Sequence, residues 1–193
     1  MTSAPPSAHS IAAARPEAPE SVPSGTAIRA AGEHNYSSTQ VQLPPAIAKK
    51  LLAFGESIPD DDLAEDGRED DPHVTVKYGL HTDEADDVRV ALSNDFKGPI
   101  KLTLGKTAFF KADDYDVLYV AVDSPDLVTL NRTVSHMLEV TDTHSKYTPH
   151  ATIAYLKPGL GKKYAGRDVV GGMSATVSAI KFSPAEGDDE VID

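Results

Sequence analysis

Two short strings in this chain are nearly the same: Pro72-His73-Val74-Thr75-Val76 and Pro149-His150-Ala151-Thr152-Ile153. Each string contains a proline, the pattern His-x-Thr and an aliphatic residue, within a run typical of a β-strand. Successive side chains of a strand point to opposite faces, so the histidine and threonine of each string share one face. The aliphatic residues of each string then face a core. The repeat therefore predicts two similar strands, each presenting one imidazole and one hydroxyl.

These four polar side chains predict acid–base chemistry on a phosphodiester. An imidazole accepts or donates a proton near neutral pH, so one histidine can activate a nucleophile while the other protonates the leaving oxygen. The nucleophile is the ribose 2′-hydroxyl for a 3′–5′ linkage, or water for a cyclic phosphate. The catalytic candidates are thus His73 and His150, with Thr75 and Thr152 donating to the non-bridging oxygens. This chemistry needs no metal or other cofactor, and the pattern leaves open which histidine is the base.

Each motif also has a plainer interpretation. A single His-x-Thr is more often a half-buried strand histidine followed by a threonine that simply suits a strand. Two such motifs in matching halves of the chain favour the catalytic interpretation.

The acidic residues are concentrated in two segments. The net charge is −12, but residues 60–71 hold eight acids and one base, and residues 186–193 hold five acids and no base. We expect a solvated loop and a solvated tail there. The remainder has equal numbers of acidic and basic residues, so it predicts no broad basic surface. Binding of a long nucleic acid is therefore not expected, and a small nucleotide fits better.

Composition divides the chain into three parts. Residues 1–35 are rich in Ala, Pro and Ser without hydrophobic periodicity, which predicts a disordered tail. Residues 36–184 form the predicted globular domain, and residues 185–193 form an acidic C-terminal tail. No stretch approaches the roughly 20 apolar residues of a membrane span. The absence of cysteine suits a reducing compartment such as the cytoplasm.

Hydrophobic periodicity within the domain predicts the order β-α-β-α-β-β-α-β-β. This is a mixed α+β pattern in which one His-x-Thr motif opens a strand in each half. The predicted strands are 38–43, 73–80, 100–110, 117–122, 150–156 and 175–182. Helices are predicted at 46–56, after a Thr82 cap, and after Ser124-Pro125.

With its two His-x-Thr motifs the chain resembles the 2H phosphoesterase superfamily. Two His-x-Thr/Ser-x motifs on the central strands of two related lobes define that superfamily. Tyr147-Thr148-Pro149 and Tyr155 beside the second motif also resemble it, and the resemblance covers residues 36–184. It implies a bilobal fold in which two related mixed or antiparallel sheets flank a central cleft, with helices outside.

Within that superfamily, the string Asp70-Asp71-Pro72-His73-Val74-Thr75-Val76-Lys77-Tyr78-Gly79-Leu80 is most similar to phage-encoded members. Some of these are anti-CBASS nucleases, which degrade the cyclic oligonucleotide messengers of bacterial defence. The resemblance implies such a substrate and action in the bacterial host cytoplasm. It also implies that Tyr36 stacks on a base and that Lys50 contacts a phosphate.

Strand alternation places Lys77 on the face of His73, which makes it a candidate phosphate contact. An equal alternative is that Lys77 only faces solvent. Two further functions stay open. One is a phosphodiesterase that opens 2′,3′-cyclic phosphates at RNA ends. The other is a non-catalytic nucleotide-binding or phage structural module.

Overall fold

The computed structural model describes residues 36–96, 98–142 and 146–192. The predicted disordered tail, 1–35, lies outside the described residues. Within this part of the chain, the strands are β1 Ser37–Gln42, β2 Leu63–Arg68, β3 His73–Leu80, β4 Ile100–Lys111, β5 Asp116–Asp123, β6 His150–Leu156, β7 Ser174–Val177, β8 Ile180–Ser183 and β9 Glu190–Ile192. The helices are α1 Pro45–Glu56, α2 Ala85–Leu92, α3 Pro125–Met137 and α4 Gly161–Tyr164.

The strands form two antiparallel sheets. The first sheet has the order β3-β1-β8-β9, and the second has the order β2-β6-β5-β4-β7. Each sheet holds one motif strand, β3 in the first and β6 in the second. The predicted α+β class with two sheets is confirmed, and every pairing between the named strands is antiparallel.

One hydrophobic core joins the two sheets. Val41 and Val74 of the first sheet and Val120 and Ala151 of the second are fully buried in the same cluster. The helices cross between the sheets: α1 follows a strand of the first sheet but packs on β6, and α3 follows a strand of the second sheet but packs on β3. This exchange holds the two motif strands in one core. None of the helices in the described residues is long and apolar enough to cross a membrane.

Helix starts follow local capping rules only in part. Ser124 accepts a hydrogen bond from the Leu127 amide at the start of α3, as the sequence predicts. Helix α2, in contrast, begins at Ala85 rather than directly after Thr82. The Thr82 hydroxyl accepts from the Glu84 amide and donates to Asp87, so it forms a turn before the helix.

Several segments differ from their predicted structure. The acidic segment 60–71 includes a 3-10 turn and β2 rather than only a loop, and Arg68 there donates to the carbonyl oxygens of Gly55 and Ile58. The acidic C-terminal segment ends in β9, which pairs with β8 and buries Ile192 in the core. The predicted strand 175–182 is two strands, because β7 pairs with β4 in one sheet and β8 with β1 in the other. The predicted loop 158–161 ends at the first residue of α4.

Candidate active site

The two His-x-Thr motifs lie on neighbouring strands. His73 begins β3 and His150 begins β6, and these strands lie against each other where the two sheets meet. Val74 and Ala151, the middle residues of the motifs, are buried in the shared core. Because side chains alternate along a strand, the histidines and threonines point away from that core. The structure thus brings the two predicted motifs together.

Two hydrogen bonds connect the segment before each motif to the strand that carries the other motif. The Tyr147 hydroxyl, three residues before the second histidine, donates to the Thr75 carbonyl oxygen at 2.8 Å. The Glu69 amide, four residues before the first histidine, donates to the Ile153 carbonyl oxygen at 3.0 Å. Each bond runs from the segment before one motif to the strand of the other. The relative position of the two motifs is therefore set by polar contacts as well as by the core.

In β3 a β-bulge follows the motif threonine. Thr75 pairs with Gln40 of β1, and Lys77 pairs with Thr39, the residue directly before Gln40. Val76 is therefore an extra residue that has no counterpart on β1.

The same irregularity occurs in β6. Thr152 pairs with Tyr119 of β5, and Ala154 pairs with Leu118, so Ile153 is the extra residue. Both bulges fall at the position directly after the threonine of His-x-Thr. The similarity of the two motif strands predicted from the sequence therefore extends to the backbone geometry, and bulges are frequent beside active sites.

The bulge in β3 moves Lys77 to another face. Lys77 pairs with Thr39, whose side chain is fully buried on the core side of β1. The Lys77 ammonium forms an ion pair with Asp142. The prediction that Lys77 shares a face with His73 is wrong, because it assumes unbroken alternation through the motif strand.

The rings of both histidines are oriented by backbone carbonyl groups. His73 Nδ1 lies 2.7 Å from the Asp71 carbonyl oxygen, and His150 Nδ1 lies 2.7 Å from the Thr148 carbonyl oxygen. A carbonyl oxygen only accepts hydrogen bonds, so Nδ1 carries the hydrogen in each ring. The neutral imidazole then has its lone pair on Nε2, so Nε2 is the ring atom that can accept a proton. Both motifs place the acceptor two residues before the histidine.

The surroundings of the two rings differ. The His150 ring meets Phe110 edge-on at 5.0 Å and Tyr119 at 5.2 Å, and these two aromatic rings stack on each other at 4.2 Å. The Glu69 carboxyl lies near His73. Burial raises the pKa of this carboxyl, and the nearby histidine opposes part of that rise. One side of the site is therefore aromatic and the other is acidic.

Sequence reasoning missed Phe110, Tyr119 and Glu69 as neighbours of the motifs. Phe110 and Tyr119 lie in segments whose sequence pattern indicates only an alternating strand and a buried strand. Their approach to His150 depends on the pairing of β4, β5 and β6, which no local pattern specifies. The signal that was available for Glu69 is its place four residues before the motif histidine.

Tyr36 lies far along the sheet from the motif histidine. Its neighbour Ser37 pairs with Leu80 at the end of β3, whereas His73 is at the start of that strand, roughly 23 Å away along seven residues. Tyr36 stacks instead on the His81 ring at 5.0 Å. The structure does not bring Tyr36 to the motifs, because antiparallel pairing places the start of β1 beside the end of β3.

Lys50 is exposed on α1, whose buried side is formed by Ile47 and Leu51. Its contact with a phosphate stays a prediction. Seven residues are expected at the site. Four of them lie on the motif strands with side chains on the faces away from the core: His73, Thr75, His150 and Thr152.

Removing the Tyr147 hydroxyl tests the contact between the motifs. Burial raises the pKa of this phenol, so it stays a donor at all ordinary pH values. We expect Tyr147→Phe to lower the free energy of unfolding by about 1–2 kcal/mol, because the partly buried Thr75 carbonyl loses a donor. It should also lower kcat/KM about tenfold, since small displacements of catalytic groups are costly. Urea unfolding and steady-state kinetics measure the two effects.

Tyr164→Phe is the matched control for that change. The Tyr164 hydroxyl also donates a hydrogen bond, but to Asp62, away from both motifs. We expect a loss of stability without a loss of kcat/KM. An equal loss of kcat/KM in both variants would contradict a specific role for the Tyr147 contact.

Comparison with known proteins assigns the chain to a family. Residues 56–165 match the family model described as the 2′-5′ RNA ligase superfamily. The match spans more than half of the chain and contains both His-x-Thr motifs. The chain belongs to this superfamily. The resemblance to 2H phosphoesterases predicted from the motifs is thereby confirmed.

Solved structures of this superfamily's fold are similar over most of the chain. TT0787 of Thermus thermophilus has a TM-score of 0.55 at 12% identity, covering 82% of this chain and 95% of its own. LigT of E. coli, complexed with 3′-AMP, has a TM-score of 0.54 at 15% identity and coverages of 81% and 92%. Usb1 of Kluyveromyces marxianus has a TM-score of 0.53 at 9% identity and coverages of 82% and 98%. These likenesses show the shared fold. A search of curated proteins gave no match.

Proposed function

We propose that this member of the 2′-5′ RNA ligase superfamily is a metal-independent phosphodiesterase that cleaves a small nucleotide. The favoured substrate is a cyclic oligonucleotide of bacterial immune signalling, cleaved in the host cytoplasm as by phage anti-CBASS nucleases. The main support is the matched pair of imidazoles on β3 and β6, each with Nδ1 bonded to a carbonyl oxygen. In that tautomer the lone pair of each neutral ring is on Nε2, the atom that exchanges protons with the substrate in the proposed reaction.

In the proposed reaction, Nε2 of one histidine removes a proton from the ribose 2′-hydroxyl or from water. The oxygen attacks phosphorus, and the protonated second histidine gives its Nε2 proton to the leaving oxygen. The hydroxyls of Thr75 and Thr152 donate to the non-bridging oxygens, where negative charge increases in the transition state. The product is a 2′,3′-cyclic phosphate or, when water attacks, an opened phosphate.

Two features support a nucleotide as the substrate. Phe110 is partly exposed beside His150, with its ring stacked on Tyr119, and a base can stack against such a surface. Among the structural neighbours, the LigT structure holds 3′-AMP and a Usb1 structure holds uridine monophosphate. The excess of acidic residues agrees with a small ligand held by a few local groups rather than a long nucleic acid.

A panel of cyclic di- and trinucleotides, incubated with the protein in EDTA, tests this function. We expect mass spectrometry to show linear products from at least one cyclic substrate, and far less product with the His73→Ala variant at the same incubation time. Complete loss of turnover in EDTA, or unchanged turnover by His73→Ala, would contradict the proposal.

Opening of 2′,3′-cyclic phosphates at RNA ends is the second candidate, and membership of a superfamily named for RNA ligation favours it. Adding short RNAs with such ends to the panel separates the two, because cleavage of RNA ends alone selects this candidate. Tight binding by calorimetry with unaltered nucleotide recovered would instead indicate a non-catalytic binding module.

A further inference from the structure

Gln40 lies on the same face of the first sheet as the first motif. On β1 the side chain of Val41 is fully buried in the core, so by alternation Gln40 points to the opposite face. Gln40 pairs directly with Thr75 of β3. Residues that face each other in antiparallel strands have Cβ atoms about 4.5–5.5 Å apart. Gln40 is therefore the cross-strand neighbour of Thr75, whose hydroxyl the proposed reaction uses.

The Gln40 side chain is buried and lacks a partner for its amide nitrogen. The residue is 2% exposed, and its Nε2 has no hydrogen-bond acceptor in the described part of the chain. Buried amide groups in native proteins nearly always have partners, so a donor without one calls for an explanation. For a residue beside Thr75, the missing acceptor is explained when it belongs to a ligand.

The polar neighbours of Gln40 are bonded to carboxylates. Lys181, which pairs with Gln40 on β8, has its ammonium 2.7 Å from Asp189 and 3.7 Å from Asp71. The amide of Gln42, two positions along β1, donates to Asp71 at 2.9 Å. These protein acceptors satisfy the neighbouring donors. The acceptor for Gln40 would therefore be a ligand atom next to Thr75, where the proposed reaction places a phosphate.

We infer that Gln40 is a substrate-binding residue whose amide donates a hydrogen bond to a non-bridging phosphate oxygen held by Thr75. This inference deepens the proposed function and rests on it for the identity of the bound group. It adds a neutral donor to the phosphate site on the side of the first sheet. A neutral donor suits this position, because it binds an anionic oxygen without forming an ion pair with Asp71.

Gln40→Leu tests the inference, because leucine has a similar volume and no donor. We expect kcat/KM to fall roughly 10- to 100-fold, as for loss of a hydrogen bond to a charged group. The melting temperature should stay equal or rise, because the variant removes a buried donor that has no protein partner. Gln40→Met, which is unbranched and adapts to irregular spaces, gives the same test if the leucine variant does not fold.

Thr39→Val is the matched control on the same strand. Thr39 is the adjacent residue, fully buried on the opposite face, and its hydroxyl donates to the Lys77 carbonyl oxygen at 3.4 Å. We expect this variant to lose some stability and keep the wild-type kcat/KM. The two neighbouring positions should thus show opposite patterns of stability and activity.

Inorganic phosphate separates failure of this inference from failure of the proposed function. Phosphate should raise the melting temperature of the wild-type protein more than that of Gln40→Leu, whether or not any nucleotide is cleaved. An equal rise in both proteins overturns the inference. If wild-type turnover is observed, unchanged kcat/KM in Gln40→Leu also overturns it and leaves the phosphodiesterase proposal in place. A fall in stability of Gln40→Leu and Gln40→Met alike would assign Gln40 a structural role and overturn the inference.

Discussion

Replacing either motif histidine by alanine should lower kcat/KM on the cleaved nucleotide by about 10²–10⁴-fold, the usual contribution of a general acid or base. His73 and His150 each provide one of two proton transfers, so loss of either stops the coordinated reaction. The double variant should be little slower than the single ones, because groups that act as a unit are strongly non-additive. Steady-state kinetics on the substrate identified by the nucleotide panel measures all three variants.

His136→Ala is the control for the histidine variants. His136 is exposed near the end of α3, so its removal should leave both stability and kcat/KM unchanged. The histidine variants should also stay folded, which circular dichroism can verify. Additive losses in the double variant would contradict the paired mechanism and indicate that the two rings act independently.

The largest expected loss of stability follows from Gly79→Ala. Gly79 has φ +91°, a conformation that L residues rarely adopt, and an added Cβ would lie 2.1 Å from the Thr141 carbonyl oxygen. The segment at Thr141 cannot simply move away from β3, because the Thr141 amide donates to the Gly79 carbonyl oxygen at 2.8 Å. We expect a loss of about 3 kcal/mol from backbone strain and steric conflict together. For a domain of this size the melting temperature should fall by roughly 6–12 °C.

Gly159→Ala separates strain from steric conflict. Gly159 has a similar φ of +85°, but an added Cβ would meet no atom within 4 Å. We therefore expect a loss of only about 1 kcal/mol, due to the positive φ. Equal losses in the two variants would show that Thr141 can move away from position 79 at little cost.

Long, strongly patterned segments could be predicted from the sequence. The strands that carry the motifs, His73–Leu80 and His150–Leu156, agree with the predicted ranges. The start of α3 agrees as well, because Ser124 followed by proline specifies a helix start through a local hydrogen bond. In these segments the residues that determine the structure are close together in the sequence.

Short and polar strands could not be predicted. Leu63–Arg68 is half-buried and rich in charged residues, and Glu190–Ile192 is only three residues long. Neither has enough residues with a clear period to indicate a strand. Each becomes a strand through pairing: the first with β6, which is distant in sequence, and the second with β8, the strand directly before it. Acidic composition predicts exposure to solvent but does not exclude pairing at a sheet edge.

The site shows the same division between local and distant determinants. Alternation correctly placed the histidine and threonine of each motif on one face, because no bulge lies between them. It failed at Lys77, where one extra residue displaces the pattern. Gln40 had no signal in the sequence, because its relation to Thr75 exists only through the register of β1 and β3.

The sequence by itself determined the four motif side chains, their strands and the superfamily to which they point, since a strand's period of two is a local property. Only the tertiary structure decided that Tyr147 and Glu69 connect the motifs, that Phe110 lies beside His150 and that Lys77 pairs with Asp142. These relations depend on strand register, on two bulges and on helices that cross between sheets. Each arises from the packing of residues far apart in the chain, which local periodicity does not encode.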